Sequence, residues 1–289
     1  MKKITKAVIA CAGMGTRFLP ATKAVPKELF PVVDTPVLAF IVNEAQKSGI
    51  TDVLIVISDQ KESIKNYFAP YPALEQQLVK LGKIELLEKL NLPKNVKVSF
   101  ACQKEPKGNA DAVACAKEFT KDEPFVLAWG DDLIDSNEPV MEQLINAFYK
   151  VNAPIIGVQS IEGDSIVKYG VAKIREEKGK FARLDGFVEK PAINELPSKK
   201  ASLGRYVFTA DVYEAISRIE KGKNNEFQIT DAINLMCSEG EVYSYEFDGK
   251  RYDMGDKVGV IKANVEYALK NEDTRYELIS YLKEIVKTL

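Results

Sequence analysis

Apolar residues in the first half of the chain come in short unbroken runs, separated by stretches with helical spacing. Ala7 to Ala12 has the length and continuity of a strand buried on both faces. Such strands belong in parallel sheets covered by helices. Further strands are predicted at Val53–Ile57, Val96–Cys102, Phe125–Trp129 and Ile155–Val158. Between them, helical spacing appears over Pro36–Ala45, over a long amphipathic stretch at Ala73–Leu90, over Ala110–Phe119 and over Val140–Val151. Strand–helix alternation over the first 160 residues predicts an α/β fold with a mostly parallel sheet. Ligands in such sheets bind beyond the carboxyl ends of the strands. The loops after Ala12, Cys102 and Trp129 sit at such ends, and all three are rich in polar chemistry.

The second half is less regular. Strands are expected at Val171–Ile174 and Phe181–Val188 around a Glu-Glu-Lys-Gly turn, at Gly204–Thr209, and at Val242–Phe247 running into an Asp248-Gly249 turn. Helices are expected at Asp211–Ile219, Thr230–Met236, Val258–Leu269 and Thr274–Val286. No Pro-, Gly- or Ser-rich linker and no repeat interrupts the pattern. One domain over 1–289 is therefore expected, with a first half to about 160, a completing half over about 161–260 and C-terminal helices over about 261–289. Those last helices carry Val265, Tyr267, Ala268, Tyr276, Leu278, Ile279, Leu282 and Ile285. That is more apolar surface than a tail normally covers, so it either folds back on the core or forms a subunit interface, as in a homodimer or homotetramer.

Composition narrows the chemistry. The 289 residues contain no histidine, which removes Ser-His-Asp and Cys-His triads, histidine bases and histidine-ligated zinc. The formal charge of −2 gives no basic field for nucleic acid. The four cysteines, Cys11, Cys102, Cys115 and Cys237, form no CxxC pair and read as reduced core thiols of a cytoplasmic protein. About six apolar residues before Gly13 are too few for a secretory h-region, and no run approaches the roughly 18–20 residues of a membrane span.

Five segments carry candidate chemistry. Gly13-Met14-Gly15 follows a buried strand, and Arg17, Lys23 and Lys27 follow within fourteen residues of Gly13. Glycines let backbone N–H groups approach a ligand closely, and Pro20, Pro26 and Pro31 hinder a regular helix, so a stiff, cationic, non-helical loop suited to a polyanion is expected. Phe18 stands where a dinucleotide fingerprint needs its third glycine, and no P-loop pattern is present. Asp131-Asp132 at a strand end suits Mg²⁺, or caps a following helix. In extended chain only one of the two faces a common ion. Asp253, in Arg251-Tyr252-Asp253-Met254-Gly255-Asp256, is a second metal ligand or a turn residue. Glu189-Lys190-Pro191 is a rim site or a surface ion pair. Gln103, opening Gln103-Lys104-Glu105-Pro106-Lys107-Gly108, is a nucleobase reader or part of a polar loop.

In this order the segments resemble the sugar-1-phosphate nucleotidyltransferases, and most closely their bacterial UTP–glucose-1-phosphate uridylyltransferase branch. The resemblance runs from about Lys3 to Lys270. Ala21-Thr22-Lys23-Ala24-Val25-Pro26-Lys27-Glu28 and Arg251-Tyr252-Asp253-Met254-Gly255 resemble the uridylyl wording, and Glu226-Phe227-Gln228-Ile229-Thr230-Asp231 matches another recurrent block. The resemblance implies a Rossmann-like twisted sheet with helices on both faces. It implies that Ala12, Gly13 and Gly15 touch the nucleotide, and that Gln103 and Gly108 read the uracil edge. Arg17 and Lys27 would hold the triphosphate, Asp131 and Asp253 would bind Mg²⁺, and Gly170, Glu189 and Lys190 would bind the sugar phosphate. Its substrates and products would be UTP, glucose 1-phosphate, UDP-glucose and pyrophosphate. In one place the chain departs: Asp111 stands where the family usually has histidine in Gly-x-x-His-Ala-Val.

The implied reaction needs no histidine, because a phosphate oxygen is already an anion and requires no general base. Positioning and cations carry such chemistry. Thymidylyl or cytidylyl transfer, a non-catalytic nucleotide-sugar regulatory protein on the same fold, and a dinucleotide-dependent oxidoreductase are the alternatives.

Overall fold

The run that opens the chain becomes the middle of a sheet. In the computed structural model, which describes residues 2–90, 95–222 and 225–288, strand β1 (Lys6–Ala10) is followed by a short hairpin of β2 (Pro31–Val32) and β3 (Thr35–Pro36). Then come β4 (Asp52–Ile57), β5 (Lys97–Cys102), β6 (Phe125–Trp129), β7 (Asp132–Asp135) and β8 (Ile155–Ser160). The rest are β9 (Gly170–Lys178), β10 (Phe181–Glu189), β11 (Lys200–Phe208), β12 (Tyr243–Glu246) and β13 (Lys250–Asp253). Nine strands share one sheet in the order β5-β4-β1-β6-β11-β8-β12-β10-β9. Pairings β5–β4, β4–β1, β1–β6 and β8–β12 are parallel, and only β11 and β10 run against the common direction.

Side-chain alternation on β1 explains the layering. Ala7 and Ile9 enter a core with the helix Val37–Lys47 and the helix Val140–Val151, while Val8 points into a core with the helices Asn109–Ala114, Asp211–Arg218 and Ile229–Glu239. Both faces of the sheet are thus dry, which is why its inner strands read as unbroken apolar runs.

Several elements differ from the sequence reading. The long helix over Ala73–Leu90 is two helices, Pro72–Lys80 and Ile84–Leu90. Gly82 adopts φ +67, and Lys83 N–H reaches back 2.9 Å to the Leu78 carbonyl, a left-handed cap that ends the first helix. Leu78 is buried in the first helix, but Val79, Leu81, Ile84 and Leu86 remain exposed and the second helix buries none of its residues, so no continuous core face carries one helix across the break. The helix over Ala110–Phe119 likewise divides into Asn109–Ala114 and Lys117–Thr120. The Glu-Glu-Lys-Gly turn is displaced, because Glu176, Glu177 and Lys178 remain in β9. Beyond Gly15 the cationic loop winds into three single 3₁₀ turns, Thr16–Phe18, Ala21–Lys23 and Lys27–Leu29, rather than staying free of helical turns. Cys11 and Cys237 are buried, but Cys102 is exposed and Cys115 half-buried, so two of the four thiols are not core groups.

The C-terminal helix Glu272–Val286 buries none of its residues, and Tyr276, Tyr281 and Val286 are exposed. The preceding helix, Lys257–Lys270, docks through Ala263 and through Tyr267, whose ring lies edge-on to Phe40 and Tyr252. Among the described residues no helix is long and apolar enough to cross a membrane.

Candidate active site

Because β5, β4, β1 and β6 run parallel, their carboxyl ends share one edge of the sheet. The backbone continues the ladder past the strand ends: Cys11 N–H bonds Val56 O at 2.7 Å, Gln103 N–H bonds Ile57 O at 2.8 Å and Gly130 N–H bonds Ala10 O at 3.0 Å. Gly13 and Asp131 therefore rise from adjacent strands on that edge, and Gln103 from the same edge two strands beyond β1. Gly15 sits at φ +67, a left-handed turn that suits glycine, and Thr22 Oγ1 donates to its carbonyl at 2.9 Å.

Asp131 and Asp132 go separate ways. Asp131 pairs with the ammonium of Lys27. Asp132 opens β7 rather than a helix, which removes the capping alternative, and its carboxylate accepts from Arg251 Nε at 2.5 Å. Strand β7 pairs antiparallel with β13, placing Asp132 opposite Asp253, and Met254 N–H donates to Asp131 O at 2.9 Å. This two-stranded ribbon joins segments more than a hundred residues apart. A methyl group on Gly255 would lie 2.8 Å from Asp131 Oδ2, 3.1 Å from Asp253 Oδ1 and 3.6 Å from Arg17 Nη1. The two carboxylates and the guanidinium thus converge on one point, which glycine leaves open. Asp253 also takes the turn role, since Gly255 N–H donates to its Oδ1 at 2.9 Å.

Arg251 holds this corner. It donates from Nη1 to Tyr169 Oη at 2.9 Å, lies 4.8 Å from the Tyr169 ring, and Tyr169 in turn donates to Asp253 Oδ2 at 3.3 Å. Burial pushes the Asp132 carboxyl up to about 6 against the pull of Arg251, with Asp131 and Asp253 adding repulsion. For Asp131 burial acts the same way, but the Lys27 charge and hydrogen bond outweigh it and hold the carboxyl below its usual range. Lys27 is shifted upward, its burial outweighed by Asp131 and Glu28.

A cavity of about 400 Å³ opens beside the ribbon. It is lined by Arg17, Asp131, Gly170, Glu189, Lys190 and Asp253, among others, so six of the residues singled out from sequence share one wall. Glu189 and Lys190 lie 3.5 Å apart, and Lys190 holds φ +46, an unusual conformation for a side chain-bearing residue. Gly170 pairs with Glu189 across the β9–β10 hairpin, and a methyl there would sit 3.3 Å from Glu189 Oε2. Lys27 lines a second cavity of about 430 Å³ with Thr16, Thr22, Lys23 and Lys61. Gln103 and Gly108 line neither cavity; they stand two strands away on the β5 side.

Sequence reasoning gave no role to Arg251, Tyr169 or Thr230, and named Asp132 only as one of a carboxylate pair; all four line the first cavity. Arg251 was visible inside a singled-out segment, but nothing local told that it would bridge two acidic groups. Thr230 Oγ1 is buried at the cavity wall with no hydrogen-bond partner among the described residues. Among the described residues no cluster of three His, Cys, Asp or Glu side chains is placed to hold a metal. The donor set at Gly255 is two carboxylates, which fits a hard divalent cation that takes one or two protein carboxylates and completes its shell with water and phosphate oxygens.

Residues 6–270 match the nucleotidyl transferase family. The chain is 41% identical over 286 residues to a UTP–glucose-1-phosphate uridylyltransferase of Staphylococcus haemolyticus (strain JCSC1435), covering 99% of each. Among solved structures it is similar to a UDP-glucose pyrophosphorylase complexed with UDP-glucose, with a TM-score of 0.84, 33% identity, and coverage of 93% of this chain and 100% of that one. It is also similar to a UTP-bound UGPase from Acinetobacter baumannii, with a TM-score of 0.89, 31% identity, and coverage of 97% and 99%.

Proposed function

The chain belongs to the nucleotidyl transferase family, and we propose that it transfers UMP from UTP to glucose 1-phosphate, giving UDP-glucose and pyrophosphate. The convergence of Asp131, Asp253 and Arg17 beside a cavity that also holds Glu189 and Lys190 carries this reading. Relatives and structural neighbours of the same activity support it.

In this reaction a phosphate oxygen of glucose 1-phosphate attacks the α-phosphorus of UTP. The bond to the bridging α–β oxygen breaks, and its electron pair leaves with pyrophosphate. The nucleophile is already ionised, so no residue need take a proton. The obstacle is repulsion between two polyanions, which fixed cations in a water-poor site offset. Lys190 would draw in the sugar phosphate while Glu189 accepts hydrogen bonds from sugar hydroxyls. Lys27, an ammonium 3.8 Å from where a Gly13 side chain would begin, would face the α-phosphate. Arg17, tethered through Nη1 to Gly255 O at 3.2 Å, would face the departing end. Members of the family generally use a divalent metal. We propose Mg²⁺ on Asp131 and Asp253, where it would neutralise phosphate charge and align the two reactants.

Incubation with UTP, glucose 1-phosphate and Mg²⁺, followed by a coupled pyrophosphate assay, tests the reading. UDP-glucose and pyrophosphate should form in equal amounts; no product above background would remove it. A parallel dTTP and CTP panel separates the uridylyl from the thymidylyl and cytidylyl alternatives.

A further inference from the structure

Gln103 is buried, and its side-chain amide makes two hydrogen bonds, both from the same nitrogen. Nε2 donates to Gly108 O at 3.0 Å and to Asp111 Oδ2 at 2.7 Å. A primary amide nitrogen has two hydrogens, and both are committed here. Neither acceptor can exchange roles: a backbone carbonyl has no hydrogen to give, and an ionised carboxylate has none either. Rotating the amide by half a turn would set Oε1 against two oxygens. The orientation is therefore fixed by chemistry, and Oε1 is left with no hydrogen-bond partner among the described residues.

The two acceptors are themselves held. Asp111 lies in the first turn of the helix Asn109–Ala114, and its own carbonyl accepts from Cys115 N–H at 3.2 Å. The loop before it is clasped by a distant segment: Phe227 N–H bonds Lys107 O at 2.8 Å, Ala110 N–H bonds Phe227 O at 3.0 Å, and Ile229 N–H bonds Asn109 Oδ1 at 2.7 Å. A Gly108 side chain would strike the Phe227 backbone, so the loop has one seat.

We propose that Asp111 is a positioning residue for base selection: it locks the Gln103 amide so that the site offers the base one acceptor and no donor. This rests on the reading of Gln103 as the residue facing the base. A lone acceptor suits a base edge that presents a ring N–H, as uracil does at N3. Cytosine presents a bare lone pair at N3, which would face Oε1 oxygen to nitrogen with no proton between them. Without Asp111 the amide keeps one acceptor partner, Gly108 O, and gains freedom to turn a hydrogen toward a cytosine ring nitrogen.

The test compares the unmodified chain with Asp111→Ala and Asp111→Asn, in turnover and in calorimetric binding of UTP, CTP and 3-methyluridine triphosphate. Asp111→Ala should raise KM for UTP and shrink the UTP-to-CTP ratio of kcat/KM by about tenfold or more, with KM for glucose 1-phosphate unchanged. Asp111→Asn, whose amide oxygen can still accept from Gln103, should keep most of that ratio. With 3-methyluridine triphosphate, which lacks the N3 hydrogen, the unmodified chain and Asp111→Ala should be equally poor. A folded Asp111→Ala that loses the same factor for every nucleotide, or keeps the ratio, overturns the proposal. Should Asp111→Ala not fold, an Asp111→Asn variant that loses the ratio as well would also overturn it. If the unmodified chain binds no uridine nucleotide at all, the base-reading role of Gln103 fails instead.

Discussion

The ammonium of Lys61 lies 2.8 Å from both carboxylate oxygens of Glu28, and it also donates to Cys11 O at 2.5 Å. Both side chains are almost wholly buried. One lysine beyond β4 thus ties the end of β1 to the turn Lys27–Leu29, and fixes where Lys27 emerges. Burial raises the Glu28 carboxyl above its usual range despite Lys61 and Lys27, so the glutamate is ionised only at the expense of desolvation.

Removing one partner of such a pair leaves an uncompensated buried charge. Lys61→Met is expected to cost about 3–5 kcal/mol of folding stability, read as a shift of the urea midpoint. The double variant Lys61→Met/Glu28→Leu should recover most of it, since two apolar groups leave no orphan charge. A single variant with an unshifted midpoint would mean the pair is not held in the folded chain.

Asp253→Asn keeps the turn, because an amide oxygen still accepts from Gly255 N–H, but it removes half the charge that converges at Gly255. Turnover with UTP and glucose 1-phosphate is expected to fall by about a hundredfold or more while the thermal midpoint moves little. EDTA should abolish activity of the unmodified chain, and added Mg²⁺ should restore it. Retained turnover in Asp253→Asn would leave Asp253 a turn residue only.

The sheet was legible because its inner strands are dry on both faces, so Ala7–Ala12 and Val53–Ile57 announce themselves as unbroken apolar runs. The break at Gly82 was not, since spacing alone cannot tell a helix packed on a core from one whose apolar residues stay in solvent. Asp131 and Asp253 could be named from their segments, yet the ribbon of β7 and β13 that joins them could not. Four-residue strands are too short to show a periodicity, and pairing across more than a hundred residues leaves no local trace. Lys61 and Arg205 show the same limit. Each looks like an ordinary surface cation in sequence, and each is buried, Arg205 against Glu44 at 2.7 Å and the Asp132 carbonyl at 2.9 Å.

Gly204 interrupts β11 at φ +75, and a methyl group there would fall within the Asp132 carboxylate, 2.8 Å from its carbon. Gly204→Ala therefore strains the backbone and displaces the group that anchors Arg251. A stability loss of about 1–3 kcal/mol is expected, together with a fall in kcat/KM larger than the stability loss explains at the assay temperature. Equal activity per folded molecule would show that the Asp132–Arg251 contact does not govern Asp253.

Lys190→Ala separates the sugar side of the cavity from the nucleotide side. Its side chain lies 3.5 Å from Glu189, its backbone N–H bonds Tyr169 O at 3.1 Å, and its left-handed φ aims the chain into the turn before Pro191. Alanine keeps the backbone bond and removes only the ammonium. KM for glucose 1-phosphate is expected to rise at least about tenfold, because one charge-assisted contact to a phosphate is lost, while KM for UTP stays within a factor of about two. Initial-rate kinetics with each substrate varied in turn provides the check. A loss that falls on UTP would move Lys190 to the triphosphate and leave the sugar phosphate to be held by other cations of the cavity, of which Lys168 and Arg17 are the nearest in kind.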